Sequence, residues 1–429
     1  MIGGLGGAIN NMKLLVGFNI IGYWNSTHIR RLPMAKANLL KIQEELKKSL
    51  KEDFVVKLDS NSIAKTTPHI STGSLALDYL IGGKENANGI KPCPGIPRGR
   101  ITNIYGNPGA GKTTIALQTA AQTCQAGGTV LYIDWENEVE PKYAAELGVP
   151  ISDPAKFMLV QPDTLENGLK FMALAAKDGV DLIVIDSVGA GVPQAMFEKQ
   201  EGEAPAVGLN ARTWSVYLPK LKGLIAKHNT AVIGISQLRD AIGGMPSFSG
   251  PKTLAQGGKA WQYYSSLQVK LSVVQKEKGK EWDALQGKSI ETVTGAVVRA
   301  HLDKCKVSDS VHHEADFYLM SGKGVDNERT VIELAIANGV IAKKGAWFSW
   351  MGPKGEIRGQ GLQTFRDTLA QTEGALMFLF NQVKDSLTGA KTTDTAVAKP
   401  IVSKGAASEN LDDLFSDVEE LDEDFGDDI

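Results

Sequence analysis

The 429-residue chain is 42% hydrophobic and 22% charged, the balance of a globular protein with a substantial core, which excludes a fibrous or wholly disordered chain. Its net charge of −3 conceals an asymmetry: Glu409–Ile429 carries eleven acids and no base, leaving 46 basic against 38 acidic residues elsewhere. A mildly basic body with an acidic tail suits a polyanionic partner. Three isolated cysteines (Cys93, Cys124, Cys305) exclude a disulfide framework or zinc site and fit a reducing, cytoplasmic setting.

The apolar run Leu14–Trp24, preceded by Lys13, has the outline of a leader's hydrophobic region. It is too short and interrupted to span a bilayer, and no membrane partner is expected. Residues 1–33 read as an extension ahead of Met34. Residues 34–65 form an N-terminal helix and linker: Leu39, Ile42, Leu46 and Leu50 recur at helical spacing within 37–51, beside a highly charged face. That face packs either on the chain's own core or on a neighbouring subunit.

From Arg100 strands and helices alternate. Strand-like runs at Ile101–Tyr105, Thr129–Ile133, Leu182–Ile185 and Ala231–Ile235 are separated by helical stretches at Thr113–Gln125, Leu165–Lys177 and Thr213–Lys227. Nearly continuous β-rich runs between helices predict a mostly parallel sheet covered on both faces. Leu267–Val274 and Val297–Leu302 read as an antiparallel edge joined by the charged connection Lys276–Lys288. The main α/β core is assigned to 66–330 and a small C-terminal α/β domain to 331–387. The rest, 388–429, is a polar linker with an acidic tail that cannot fold alone.

Gly106-Asn107-Pro108-Gly109-Ala110-Gly111-Lys112-Thr113 fits G-x-x-x-x-G-K-[ST] between a predicted strand and helix. Its glycines let backbone N–H groups converge on phosphate oxygens at a helix N-terminus. Lys112 reaches the β- and γ-phosphates of ATP, and the Thr113 hydroxyl ligates Mg²⁺. Asp186 ends a buried strand where it holds the magnesium shell across from Thr113. Glu136 ends another strand and is the candidate for orienting or deprotonating water, while Asp134 is read as structural. Gln237 closes a third and is placed to sense the γ-phosphate.

Leu238–Gln256 follows, an irregular loop rich in Gly, Pro and Ser with Arg239, Met245, Phe248 and Lys252 interspersed, and Gly257-Gly258 as its hinge. Cations with apolar wedges suit a single strand whose phosphates are neutralised and whose bases are stacked. A second loop, Gln194–Gly208, precedes Arg212, but its acids (Glu198, Glu201, Glu203) oppose simple electrostatic binding.

These residues together resemble the RecA family of DNA strand-exchange recombinases, bacterial or phage type. The resemblance runs through Ile70–Asp78, Gly106–Thr114, Ile133–Glu136, Pro141–Ala144, Gln161–Thr164, Val184–Ser187, Gly208–Arg212, Gln256–Gly258, Gly345–Trp350 and Gly359–Gly361. It implies a RecA-like P-loop NTPase core with an N-terminal oligomerisation helix and a small C-terminal domain. The implied activity is a helical filament on single-stranded DNA that pairs it with homologous double-stranded DNA, with DNA-stimulated ATP hydrolysis. DNA repair, the SOS response, and single-strand-binding and loader partners belong to the same implication.

By position, Glu136 is similar to the family's catalytic glutamate and Gln237 to its nucleotide-to-DNA switch. Tyr143 matches the residue stacking on adenine, Glu140 sits where an acid contacts the base, and Thr114, next after the loop, is counted with the nucleotide-binding residues. Lys304 and Lys306 resemble paired lysines reaching the ATP of the adjacent subunit. The loops Gln194–Gly208 and Leu238–Gln256 resemble its DNA-binding loops, with Arg212 as a DNA contact. The 37–51 helix takes the subunit-docking reading.

Four departures stand out: Lys259 where the family has Asn, Gln262 where it has Lys, a longer connection around Lys276–Ile290, and Pro219 inside a helix, where a kink or restart is expected. Competing readings are a RecA-fold hexameric helicase or clock-type ATPase, which lacks the 345–361 pattern and the lysine pair, and a non-hydrolysing ATP-switched single-strand binding protein, which does not need Glu136 and Asp186. An unrelated P-loop kinase does not need the Gly/Pro-rich loop.

Overall fold

The structure, a computed structural model, divides the chain into two units, Met1–Lys65 and Thr66–Ile429. It describes residues 44–45 and 48–49 of the first, and 67–85, 91–197, 208–240, 253–283, 287–310 and 314–388 of the second. Glu44, Glu45, Lys48 and Ser49 are helical and exposed, on the charged side of the predicted helix. Its apolar positions Leu39, Ile42, Leu46 and Leu50 lie outside the described residues, as do 1–33 and 389–429.

The second unit opens with β1 (His69–Ile70), α1 (Leu75–Gly82) and β2 (Ile96–Pro97), the two short strands pairing antiparallel. An alternating series follows: β3 (Ile101–Gly106), α2 (Lys112–Gln125), β4 (Val130–Asp134), α3 (Pro141–Glu146), β5 (Phe157–Val160), α4 (Leu165–Lys177), β6 (Leu182–Asp186), α5 (Leu209–His228) and β7 (Ala231–Asp240). Next come β8 (Thr253–Ala255), α6 (Gly258–Tyr264), β9 (Leu267–Asp283), β10 (Lys288–Cys305), β11 (Glu314–Met320) and β12 (Gly324–Val325). The last part holds α7 (Asn327–Ala337), β13 (Ala342–Lys344), β14 (Trp347–Gly352), β15 (Gly355–Gln360), α8 (Leu362–Gln371) and α9 (Ala375–Thr388).

One 10-stranded sheet dominates, in the order β12-β11-β10-β9-β3-β7-β6-β4-β5, with β8 paired to β7. The strands from β9 to β5 are parallel. Every residue of β3, β4 and β6 is buried, as strands covered on both faces must be. Side-chain alternation divides the core in two. Ile104, Tyr132 and Val184 pack with Ile115 and Ala120 of α2 on one face. Ile133, Ile183 and Val232 pack with Met172 of α4 and Leu218 and Leu221 of α5 on the other. A third apolar cluster joins α7–α9 to the three-stranded antiparallel sheet β13-β14-β15, around Phe348, Trp350, Phe365 and Leu379.

Three local expectations are corrected. The charged segment Lys276–Lys288 is largely not a connection but an extension of the β9–β10 ladder, which pairs from Leu267–Cys305 out to Asp283–Lys288. These strands are not an edge either, since β11 and β12 continue the sheet beyond them. Pro219 does not restart its helix: α5 runs through it over 20 residues. Pro219 and Ser215 are exposed, so solvent can take the carbonyl that Pro219 cannot serve, while buried Trp214, Leu218, Leu221 and Ile225 hold both halves on the sheet. The boundary expected at 330/331 falls within α7.

Candidate nucleotide and nucleic-acid site

The C-terminal ends of the parallel strands converge on one crevice, where ligands bind in open α/β sheets. In register, Gly106 lies beside Gln237, and Asp134 beside Asp186. The Gly106–Thr113 loop leaves β3 there. A Cβ on Gly106 would overlap the Leu271 carbonyl of neighbouring β9, and Gly111 takes a φ of +83° directly before α2. Between them Asn107, Pro108, Gly109 and Ala110 make the turn, with Ala110 N–H donating to Asn107 O at 3.3 Å.

Lys112 is buried and its Nζ donates to Asn107 O at 2.9 Å, spanning the loop. Burial lowers its pKa, opposed by the charges of Asp186 and Glu136. Thr113 Oγ1 donates to Asp186 Oδ2 at 2.8 Å, and Tyr132 OH donates to the same oxygen at 2.8 Å. Burial pushes Asp186 up to about 6; those two hydrogen bonds pull it down, while Glu136 and Asp134 add to the rise. A buried carboxylate held against a hydroxyl, next to a loop of convergent N–H groups and a lysine, is a hard-oxygen set that fits Mg²⁺ with a polyphosphate.

Glu136 receives two donors. Ser187 Oγ hydrogen-bonds to its Oε1, and Gln237 Nε2 lies 3.1 Å from Oε1 and 3.3 Å from Oε2. Asp134 is instead tied down by Val139 N–H and Gln161 Nε2, both at 3.2 Å. Between the two acids, Trp135 meets Trp214 edge-on at 6.2 Å, and Trp214 meets Trp261 at 5.0 Å. Sequence reasoning missed Ser187 and Tyr132. The signal for Ser187 was its position directly after Asp186; Tyr132 was hidden inside an apolar run.

A cleft of ≈ 530 Å³ opens beside the loop, between Gly111, Thr114 and Tyr143 on one side and Lys276, Met320 and Ser321 on the other. Tyr143 OH and Thr114 Oγ1 are 2.7 Å apart. Glu140 caps α3, accepting from Tyr143 N–H at 2.9 Å, and is exposed.

The nucleic-acid candidates cluster less completely. Arg212 is exposed in the first turn of α5. Gly257 and Gly258 have φ of 87° and 78° and lead into α6. The stems of the expected irregular loop are strands: β7 and β8 pair Leu238 with Ala255, Arg239 with Leu254 and Asp240 with Thr253. Phe248 and Lys252 lie outside the described residues, as do 198–207 of the other loop.

Lys304 and Lys306 sit at the opposite end of the sheet from the phosphate loop. Lys304 is in register with Gln268, at the start of β9 beside the start of β3. Its Nζ donates to Gln262 O at 2.7 Å and Tyr263 O at 3.1 Å, and burial, with Lys306 and Lys222, lowers its pKa.

Fold and crevice together define a P-loop nucleotide-binding α/β protein. The sequence matches the family model described as the RecA N-terminal domain over residues 37–326. It is 36% identical to Protein RecA of Chlorobaculum tepidum over 350 residues, 81% of this chain and 92% of that one. It is 35% identical to Protein RecA of Mycobacterium ulcerans over 358 residues, 82% of this chain and 93% of that one. The crystal structure of the RadB recombinase is similar at 23% identity and a TM-score of 0.41, covering 60% of this chain and 98% of that chain. The chain belongs to the RecA family, recombination proteins built on a P-loop ATPase core. No helix among the described residues is long and apolar enough to cross a membrane.

Proposed function

We propose that this protein is a cytoplasmic, ATP-dependent homologous-recombination protein that forms a filament on single-stranded DNA and pairs it with a homologous duplex, the DNA stimulating ATP hydrolysis. The observation that carries the reading is the contact between Gln237 and Glu136. Gln237 is also the residue from which the β7–β8 stem departs, since Gln256 N–H donates to Gln237 O at 3.0 Å. One side chain thereby joins the catalytic carboxylate to the base of a DNA-binding loop.

In this reading ATP with Mg²⁺ supplies the electrophilic phosphorus when bound. The loop N–H groups and Lys112 bind its phosphates, and Thr113 with Asp186 holds the metal. Tyr132 positions Asp186 through its hydrogen bond to Oδ2. Glu136 orients the attacking water and takes its proton, with Ser187 and Gln237 fixing the carboxylate's direction. Tyr143 offers its ring to the base.

Self-association is supported by two surfaces. Lys304 and Lys306 lie too far along the sheet to serve their own crevice, which supports a role at a neighbour's. Met158 and Leu159 on the edge strand β5, with Phe171 and Leu174 on α4, leave apolar side chains 37% to 61% exposed. The amphipathic 37–51 segment of a neighbouring copy is their counterpart in this reading.

Phosphate release measured with and without single-stranded DNA tests the reading. A several-fold rise on adding DNA is expected; an unchanged rate overturns it.

A further inference from the structure

We infer that Lys276 is a nucleotide-binding residue of the same subunit, aimed into the phosphate-loop cleft by a bulge in β9. The inference rests on the cleft being the nucleotide site. Along a regular strand Val273 and Lys276 would point to opposite faces. The β9–β10 ladder, however, pairs Val298 with Val273 and Val297 with Gln275, so Val274 is an extra residue on β9. One inserted residue reverses the facing of everything beyond it. Val273 and Lys276 therefore both line the cleft, with Gly109, Gly111, Lys112, Thr113 and Tyr143. The next residue, Glu277, is sent the other way and pairs with Arg329 of α7.

Lys278 pairs with Glu291 at 3.0 Å, and Glu277 has Arg329. Among the described residues Lys276, Lys280 and Lys288 of the arm form no ion pair, and of these three Lys276 is the one that lines the cleft. An unneutralised cation on the wall facing a phosphate loop is matched by an anionic polyphosphate, which Lys contacts as a point charge. The sequence could not show this, because Lys276 reads there as one of several charged residues in a connection.

The test is titration calorimetry with MgATP on the full chain, for wild type, Lys276→Met and Lys276→Arg. Lys276→Met is expected to raise Kd about five- to tenfold at low salt, and Lys276→Arg to stay within about twofold. The wild-type advantage should shrink as salt is raised. Wild-type affinity in Lys276→Met overturns the inference. So does an equal loss in Lys276→Arg, or a deficit independent of salt, since either assigns the effect to a distorted hairpin. Failure of the wild type to bind MgATP, or undiminished binding in Lys112→Ala, counts instead against the cleft as the nucleotide site.

Discussion

Gln237 Nε2 donates to both oxygens of Glu136, at 3.1 and 3.3 Å, across 101 residues of sequence. Gln237 lies in β7 where its parallel pairing with β3 stops, and Glu136 follows the end of β4 by two residues; β7 and β4 are not adjacent, as β6 lies between them. The amide therefore reaches over the strand that carries Asp186 and Ser187. A shift of the β7–β8 stem along β7 would move the residue that donates to Glu136. Gln237→Ala is expected to bind ATP within about twofold of wild type while losing most of the DNA stimulation of turnover. Turnover with and without single-stranded DNA measures this; intact stimulation would show that the loop communicates by another route.

The tryptophan between the two acids makes a second prediction. A Cβ at Gly168 of α4 would overlap the ring of Trp135. Trp135 is wedged against Trp214 and immediately precedes Glu136, so displacing the ring moves the carboxylate. Gly168→Ala is expected to cost about 1–3 kcal/mol of stability and to lower turnover more than ATP affinity. Gly223 of α5 meets nothing within 4 Å of its built Cβ, and Gly223→Ala should leave turnover unchanged and stabilise by about 0.5–1 kcal/mol. Denaturant unfolding and steady-state kinetics on the pair separate a packing effect from a general helix effect.

The parts of the fold and site carried by local pattern were legible in the sequence. β3, β4 and β6 were readable because every residue in them is buried, which forces an apolar run, and the phosphate loop because its backbone turns demand glycine at fixed positions. What could not be read depends on pairing between distant segments. The outer half of the β9–β10 arm is rich in lysine and glutamate and looks like solvated loop, yet its backbone pairs as a ladder, with Lys278 and Glu291 meeting diagonally across the two strands. The Val274 bulge is a property of the pair, not of either strand. Pro219 misled because helix propensity is a local quantity, whereas α5 is held by the buried side chains on both sides of the proline.

A buried carboxyl away from the crevice predicts a pH dependence of stability. Asp78 accepts from Ser71 Oγ at 2.6 Å, Thr72 Oγ1 at 2.7 Å and Thr72 N–H at 2.9 Å. Burial nevertheless pushes its pKa from 3.8 up to about 6, the hydrogen bonds only opposing the rise. Between those values the folded state holds a proton that the unfolded state has released. The contribution is therefore fully present below about 4 and lost as pH rises through about 6, on the order of 3 kcal/mol. Asp78→Asn keeps the acceptor for Thr72, lets the Ser71 hydroxyl turn round to accept, and cannot ionise. Its unfolding free energy relative to wild type should climb between pH 4 and pH 7; a constant difference would show that the carboxyl ionises normally when folded.

The position of Lys304 makes the sharpest test of assembly. It is held at the start of β9 by two carbonyls, with Lys306 two residues on, while the phosphate loop leaves the other end of neighbouring β3. Gln268, level with Lys304, pairs with Asn103, three residue steps before Gly106, roughly 10 Å along the strand at the usual rise, before the sideways offset across β9 and the loop itself are added. A lysine side chain does not span that distance, so under the proposed reading a complete unit would take its crevice from one subunit and its lysines from the next. A Lys304→Ala/Lys306→Ala variant and a Glu136→Gln variant should each bind ATP and turn it over slowly, about a hundredfold or more below wild type for the latter. Mixed on single-stranded DNA, they form some junctions in which an intact Glu136 faces intact lysines. Turnover in the mixture should then exceed the sum of the two alone, reaching about a quarter of wild type at equal proportions if subunits assort at random, one junction in four being fully intact. Strictly additive rates would place the lysines outside the catalytic unit.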